Sequence, residues 1–159
     1  MQSFYTDQQQ LLAKTTREFA LSELAPEASN IDENEIFPRK QFTSLANLGF
    51  TGLTLDSKYG GSDGNYVDMM VVVEEIASAC GSSSTVLITH VSLASQTINR
   101  FGNNEQKRRW LPDLCSGKKI AAFSLSEPQN GSDALALTTK IEKKDPNTYL
   151  LNGNKTFTT

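Results

Sequence analysis

The stretch that decides the fold is Ala-Ala-Phe-Ser-Leu-Ser-Glu-Pro-Gln-Asn-Gly-Ser-Asp, residues 121–133. It follows a long region of helical periodicity and opens a region of strand and turn signals. Ile120 to Leu125 predicts a short apolar strand, which Pro128 ends because proline lacks a backbone donor. The sequence therefore predicts an α+β chain, with an all-α helical domain over residues 1–117 and the first strands of a β-domain over residues 118–159.

Five helices are predicted before this stretch, because apolar residues recur there at intervals of three or four positions. Thr6 and Gln9 resemble a capping box at the start of the first helix, and Pro26 is expected to end that helix. Glycines and caps predict where the others begin and end. These further boundary residues are Pro38, Gly49, Gly81, Gly102, Asn104 and Gly117.

Three later segments are predicted to be strands: residues 137–143, Thr148 to Leu151, and Lys155 to Thr159. Asn152-Gly153 is the strongest short hairpin signal in the sequence and predicts a tight turn between the last two. The last predicted strand reaches the final residue with no closing turn. The sequence thus predicts a truncated β-domain, because a few strands with one apolar face need further partners.

Composition argues against several classes of partner. The net charge of −3 and the pI near 5.2 do not favour nucleic acid or a membrane surface. Cys80 and Cys115 follow no metal or redox spacing, and a reducing cytoplasm is the default. His90, the single histidine, is interpreted as a packed helix residue, and no metal site is predicted. Glu74 and Glu75 are interpreted as the polar flank of a helix.

The turn after the predicted strand could carry chemistry. Gly131 allows the main chain to approach a ligand closely, and Ser126 and Ser132 offer hydroxyl groups. The alternative is a surface loop in which Glu127 and Asp133 make local turns. From the residues alone the surface loop is favoured, since single short motifs often mislead.

Four separated segments together resemble the acyl-CoA dehydrogenase family. The resemblance covers nearly the whole chain but only the first part of the family's length. The segment from Ser126 to Asp133 is most similar to short-chain members. The four segments are Lys58 to Gly61, Phe101 to Gly117, Phe123 to Asp133 and Tyr149 to Thr159.

The resemblance implies a helical domain, a β-barrel-like middle domain and a carboxy-terminal helical bundle, with FAD between the last two. It implies oxidation of the α,β bond of an acyl-CoA thioester to the 2-enoyl-CoA, as in fatty acid metabolism. An electron-transfer flavoprotein is the implied electron acceptor, and a homo-oligomer, a tetramer, is the implied assembly. The implied location is the cytoplasm, or the mitochondrial matrix in a eukaryote.

The resemblance also implies roles for individual residues. Ser132 corresponds to a position that touches the acyl-CoA, and Phe157 to an aromatic residue against the flavin ring. The family's catalytic glutamate comes later, so no catalytic residue is assigned within this chain, and the chain alone is expected to be inactive. Acyl-CoA oxidase, flavin monooxygenase and a flavin-free helical interaction module stay open as alternatives. The implied FAD contacts are Phe123, Leu125, Ser126, Gly131, Ser132, Phe157, Thr158 and Thr159.

Overall fold

Helices account for the chain up to Ala121, and a small antiparallel sheet follows. The computed structural model describes residues 4–158, and in that range seven α-helices precede two strands. The α+β prediction is confirmed. The helices are α1 (Asp7–Phe19), α2 (Ala25–Glu33), α3 (Arg39–Asn47), α4 (Tyr66–Ala79), α5 (Gly81–Ile88), α6 (Gln96–Phe101) and α7 (Asn104–Cys115).

Polar caps fix where the helices begin. The Thr6 hydroxyl accepts the Gln9 N–H at 3.2 Å, and the Gln9 side chain accepts the Thr6 N–H at 3.1 Å, which confirms the predicted capping box. Asn103, and not Asn104, caps α7. Its side chain accepts the Gln106 N–H at 2.9 Å, since the cap lies just outside the helix that begins at Asn104.

Two predicted helix ends are wrong, each for a local reason. The first helix continues past Pro26, because a π-helical turn at Ala20–Leu24 places Pro26 in the first turn of α2. Proline is tolerated there, since an N–H at that position needs no helical partner. Gly81 does not end α4 but begins α5, and the break falls at Cys80, whose backbone is extended. A second π-helical segment, Thr89–Ser95, joins α5 to α6.

The core of the helical unit lies between α1, α2, α4 and α5. Along α4 the buried positions Met69, Val72 and Ile76 share one face. Glu75 is also buried, which corrects its assignment to a polar flank: Arg17 on α1 donates to both of its carboxylate oxygens, at 2.7 and 2.6 Å. The main apolar cluster comprises Ala20, Leu24, Ile31, Leu45, Phe50, Leu53, Met69, Val72, Ile76, Cys80, Leu87 and Val91.

The sheet is a hairpin of β1 (Lys140–Asp145) and β2 (Thr148–Asn152), with Ile141 opposite Leu151. The strand predictions over residues 137–143 and 148–151 are thus confirmed in their main part. The predicted turn at Asn152-Gly153 is wrong, because the chain reverses earlier, between β1 and β2. There the Asp145 carboxylate accepts the Asn147 N–H at 3.0 Å, and Pro146 presets the turn.

The strands predicted at Ile120 to Leu125 and from Lys155 onward do not form in the described part of the chain. A strand needs a ladder of backbone partners, and among the described residues these two segments share no backbone bond. The nearest one runs from the Thr156 N–H to the Ser126 oxygen at 3.0 Å, one residue beyond the first segment. Thr159, the end of the second predicted strand, lies outside the described residues.

The chain divides into two compact units, one ending at Ala121 and one beginning at Ala122. The predicted domain boundary after Gly117 lies four residues before this division, and it stays a prediction. Among residues 4–158 there is no helix of the length and apolar character that crossing a membrane requires.

Candidate functional site

Two segments of the second unit, which the sequence separates by about 30 residues, lie side by side. Besides the Thr156 to Ser126 backbone bond, the hydroxyls of Ser124 and Thr158 are hydrogen-bonded at 2.8 Å. The structure therefore brings together the two parts of the chain that carry most of the predicted site residues.

Phe157 stands out among the side chains of this surface. It is 94% exposed, and its backbone is in the left-handed region at φ +53°. A bulky residue seldom adopts that conformation, and such outliers concentrate at functional sites. Leu125, on the neighbouring segment, is also exposed, and Phe123 is half-buried. The pair of segments thus exposes one aromatic ring, that of Phe157, and one aliphatic side chain, that of Leu125.

The remaining predicted residues lie in the turn that follows Asn130. A Cβ atom added to Gly131 would have no neighbour within 4 Å, so the space beside this glycine is open. Ser132 is exposed. In the range 4–158, neither residue hydrogen-bonds to another predicted site residue. Among the described residues, hydrogen bonds join the two segments to each other but do not join Gly131 or Ser132 to them. Thr159 lies outside the described residues.

Hydroxyl groups give this surface its polar character. The side-chain oxygens of Ser126 and Ser132 have no hydrogen-bond partner within residues 4–158. Each can therefore donate to the oxygen or nitrogen edge of a bound ring without first breaking an internal bond.

A buried carboxylate, which the sequence did not single out, lies beneath this surface. Glu127 is 2% exposed, and the Lys155 ammonium lies 3.1 Å from its Oε1 atom. Hydrogen bonds from Thr139 and Thr138 hold the pKa of the Glu127 carboxyl well below its usual range. The expected local turn does exist as well, because the backbones of Glu127 and Asn130 exchange hydrogen bonds at 2.9 and 3.0 Å.

No local sequence signal marks Glu127 and Lys155 as a pair. Both belong to segments that resemble the acyl-CoA dehydrogenase family, yet 28 positions separate them. A glutamate beside a predicted strand and a lysine beyond a predicted turn are usually surface residues, so only the fold shows the pair.

The helical unit contains a histidine and two cysteines without catalytic features. His90 is fully buried, with Nε2 3.1 Å from Leu114 O and Nδ1 accepting the Ala121 N–H at 3.0 Å, which confirms a packed, hydrogen-bonded role. Burial raises the pKa of the Cys115 thiol to about 11, so it stays protonated and unreactive. No cluster of three metal-ligating side chains occurs in the described residues.

An apolar cavity of about 490 Å³ lies in the helical unit, beside α4. It is lined almost wholly by carbon, so it suits an aliphatic group better than a charged one. The lining residues are Tyr66, Met69, Met70, Val73, Glu74, Ile88 and Ser92.

The family follows from comparison with known proteins. Residues 6–118 match the family model described as acyl-CoA dehydrogenase, N-terminal domain. The chain belongs to the acyl-CoA dehydrogenase family, as its sequence segments predict.

Curated relatives agree with this assignment. The chain is 40% identical over 153 residues to acryloyl-CoA reductase (NADH) of Anaerotignum propionicum, covering 96% of this chain and 39% of the relative. It is 36% identical over 154 residues to the short-chain specific acyl-CoA dehydrogenase of Clostridium acetobutylicum, covering 97% of this chain and 40% of the relative. The chain therefore spans about two fifths of the length of these relatives.

Solved structures show the same fold. Butyryl-CoA dehydrogenase from Megasphaera elsdenii aligns with a TM-score of 0.89 at 36% identity, over 99% of this chain and 42% of that one. An acyl-CoA dehydrogenase complexed with FAD from Bacillus anthracis aligns with a TM-score of 0.90 at 32% identity, over 98% of this chain and 27% of that one. A structure described under the electron transferring flavoprotein of Acidaminococcus fermentans aligns at 0.90 and 33% identity, over 99% and 41%.

Proposed function

We propose that this chain is the amino-terminal part of a FAD-dependent acyl-CoA dehydrogenase that oxidises the α,β bond of acyl-CoA thioesters to the 2-enoyl-CoA. The observation that carries the proposal is the pairing of the Ser124–Ser126 and Thr156–Thr158 segments, with Phe157 exposed beside them, in a chain of this family. Because the chain spans two fifths of its relatives, the activity belongs to the whole protein.

The surface suits a flavin in shape and chemistry. Phe157 and Leu125 present apolar faces to a flat ring. The hydroxyls of Ser126 and Ser132, which have no partner among residues 4–158, suit its polar edge. When bound, FAD would supply the capacity to accept two electrons from the substrate. The proposed FAD contacts are Phe123, Leu125, Ser126, Gly131, Ser132, Phe157, Thr158 and Thr159, and Ser132 is also the proposed acyl-CoA contact.

The chain's own role is to bind and orient. A donor placed before the reaction stabilises negative charge with little reorganisation. We assign this role to the Ser126 hydroxyl, because the Thr156 N–H holds the Ser126 backbone. We assign no catalytic base here and expect the isolated chain to be inactive. Glu127, the one buried carboxylate of the second unit's described residues, is unsuited to proton abstraction, because its oxygens are already occupied and its pKa is lowered.

An electron-transfer flavoprotein is the proposed electron acceptor of the whole enzyme, and a homo-tetramer is its proposed assembly. The structural match described under an electron transferring flavoprotein supports the choice of acceptor. The proposed location is the cytoplasm, or the mitochondrial matrix in a eukaryote.

A second function is favoured by one comparison. The 40% identity to an acryloyl-CoA reductase (NADH) supports the reverse reaction as the second candidate, reduction of a short 2-enoyl-CoA with NADH as the electron source. Both directions use the same carbon–carbon bond and the same flavin surface, so the surface alone does not separate them.

The test is flavin uptake followed by turnover in both directions. The complete protein is purified, titrated with FAD and followed by the shift of the flavin absorbance bands. Butyryl-CoA with an artificial electron acceptor tests oxidation, and acryloyl-CoA with NADH tests reduction. The proposal predicts flavin uptake and oxidation, whereas reduction alone would favour the second function. A protein that takes up no flavin would instead support a flavin-free interaction module.

Two variants locate the site. Ser126→Ala and Phe157→Leu are expected to weaken FAD binding by about tenfold each, the effect of losing one good contact. Ser116→Ala, an exposed serine at the end of α7, is the matched control and should bind FAD as the wild type does.

A further inference from the structure

The second unit has an unusual centre. Among its described residues, 122–158, Glu127 is the only one that is fully buried, and both strands are exposed along their whole length. Burying a carboxylate is costly unless charge and hydrogen bonds compensate it. The organising group of this unit is therefore an ion, where a hydrophobic side chain would be usual.

Both oxygens of that carboxylate are fully used. Oε2 accepts the Thr138 N–H at 2.7 Å, the Thr138 hydroxyl at 2.7 Å and the Gln129 amide at 3.1 Å. Oε1 accepts the Thr139 N–H at 2.8 Å and the Lys155 ammonium at 3.1 Å. Five donors from three parts of the chain thus converge on one side chain.

Lys155 extends this arrangement to the candidate site. Its ammonium also donates to the Leu125 carbonyl at 2.8 Å, so it binds one predicted flavin contact directly. Lys155 itself immediately precedes Thr156, whose N–H binds Ser126 O. The ion pair therefore fixes the distance between the two segments, Leu125 and Ser126 in the first and Thr156 in the second.

We infer that Glu127 and Lys155 are positioning residues, an internal ion pair that holds the Leu125–Ser126 and Thr156–Thr158 segments at the spacing a flavin ring needs. This inference rests on the proposed function. Neither side chain is assigned a contact with FAD or substrate. Both act through the backbone of the residues that are assigned FAD contacts.

The inference is tested by removing each charge in the complete protein. Lys155→Met removes the ammonium and keeps the length of the side chain, and Glu127→Gln removes the negative charge and keeps the shape. Each is expected to weaken FAD binding at least about tenfold. Lys155→Met leaves the buried Glu127 carboxylate without its counter-charge, and Glu127→Gln turns an N–H₂ group toward donors that the carboxylate accepted from. Lys155→Arg, which retains the charge, should restore most of the affinity. The matched controls are Glu142→Gln and Lys143→Met, which remove exposed charges on β1 and should leave FAD affinity unchanged.

Two readouts do not depend on turnover. Amide hydrogen exchange at Thr138 and Thr139 reports whether the Glu127 carboxylate holds these donors, and both should exchange faster in Glu127→Gln. Trp110, the single tryptophan of these 159 residues, lies in α7, and its fluorescence reports whether the helical unit is still folded. An unchanged Trp110 signal with faster exchange and weaker FAD binding supports the inference.

The outcomes separate the two proposals. Variants that exchange faster yet bind FAD as tightly as the wild type overturn the positioning role and leave the flavin site standing. Slow exchange retained in Glu127→Gln overturns it too. A wild-type protein that takes up no FAD overturns the proposed function and with it the positioning role, whatever the exchange rates show. If Glu127→Gln does not fold, the contrast between Lys155→Met and Lys155→Arg decides, and equal affinity in these two would overturn the inference.

Discussion

His90 is held in one protonation state by its two neighbours. The Leu114 carbonyl can only accept, so Nε2 must carry the proton, and the Ala121 N–H can only donate, so Nδ1 must be bare. A second proton would turn Nδ1 into a donor facing another donor. Burial lowers the pKa of His90 below its usual 6.5, in agreement with a neutral ring.

The helical unit should therefore lose stability in mild acid. A group whose pKa is lowered by folding stabilises the fold fully above its unfolded pKa, here about 6.5, and the stability is lost as the pH falls below that value. We expect the urea midpoint, measured by Trp110 fluorescence, to decrease as the pH is lowered from 7.5 to 5.5. The free energy of unfolding should decrease by at most about 1.4 kcal/mol per pH unit. His90→Asn, which cannot titrate in this range, should show a flat profile; a wild-type profile equally flat would contradict the prediction.

Two glycines are expected to respond in opposite ways to alanine. Gly131 has open space where a Cβ would lie, so Gly131→Ala should leave the free energy of unfolding within about 1 kcal/mol of wild type. It should nevertheless weaken FAD binding if the main chain approaches the ligand there. Gly117 has φ +67°, and an added Cβ would collide with Ala46, so Gly117→Ala should destabilise the helical unit by about 1–3 kcal/mol.

Urea titration of both variants, with FAD binding measured in parallel, tests the pair. Gly131→Ala with normal FAD affinity would remove this glycine from the site. Gly117→Ala with wild-type stability would show that the helices can shift to accommodate the methyl group.

Helix prediction succeeded where the apolar period was regular and failed where hydrogen bonding changed register. The capping box at Thr6 and the helix end at Gly49 could be predicted from the sequence, because each depends only on neighbouring residues. The π-helical turn at Ala20–Leu24 has no comparable local signal, and it alone moved Pro26 from a helix end to a helix start.

Two of the four predicted strands are confirmed in their main part, and the other two failed for a different reason. A strand depends on partners elsewhere in the chain, so the apolar run at Ile120 to Leu125 did not by itself determine a ladder. The hairpin was placed at Asn152-Gly153 although Asp145-Pro146-Asn147 carries good turn chemistry of its own. In the candidate site, sequence patterns supplied the exposed residues, while the ion pair beneath them required the fold.

A charged pair joins α1 and α4 beside their apolar contacts. Arg17 reaches both oxygens of Glu75, whose side chain is only 10% exposed. Arg17→Met should lower the midpoint of thermal unfolding by several degrees, because it leaves a buried carboxylate without its donors. Lys14→Met is the matched control. Its partner Glu18 is exposed and 4.0 Å away, and such surface pairs contribute little. Equal losses in circular dichroism melts of the two variants would contradict this reading.

The two units differ in what stabilises them. The helical unit contains two clusters of buried apolar side chains, whereas the described residues of the second unit bury only Glu127. Local opening is easiest where few apolar contacts must break. Amide exchange should therefore be faster throughout β1 and β2 than in α4 or α5, and a protease should cleave the second unit first. Equal protection in both units would show that this unit is covered in solution.

The exposed surface of the second unit leads to the last prediction, which concerns association. Within residues 4–158 the sheet has two strands, so each strand has an edge with no partner there. Ile141 and Leu151, which are paired across the sheet, are 67% and 72% exposed. An uncovered edge with apolar side chains is a template for pairing with another chain.

We expect the 159-residue chain to associate as its concentration rises in light-scattering measurements. The double variant Ile141→Thr/Leu151→Thr places β-branched residues at both positions but removes apolar area, and it should shift association to higher concentration. Val67→Thr on α4, an exposed apolar residue of the helical unit, should not. A monodisperse monomer at high concentration would contradict the prediction, because an apolar sheet with two free edges would then be stable in water without a cover.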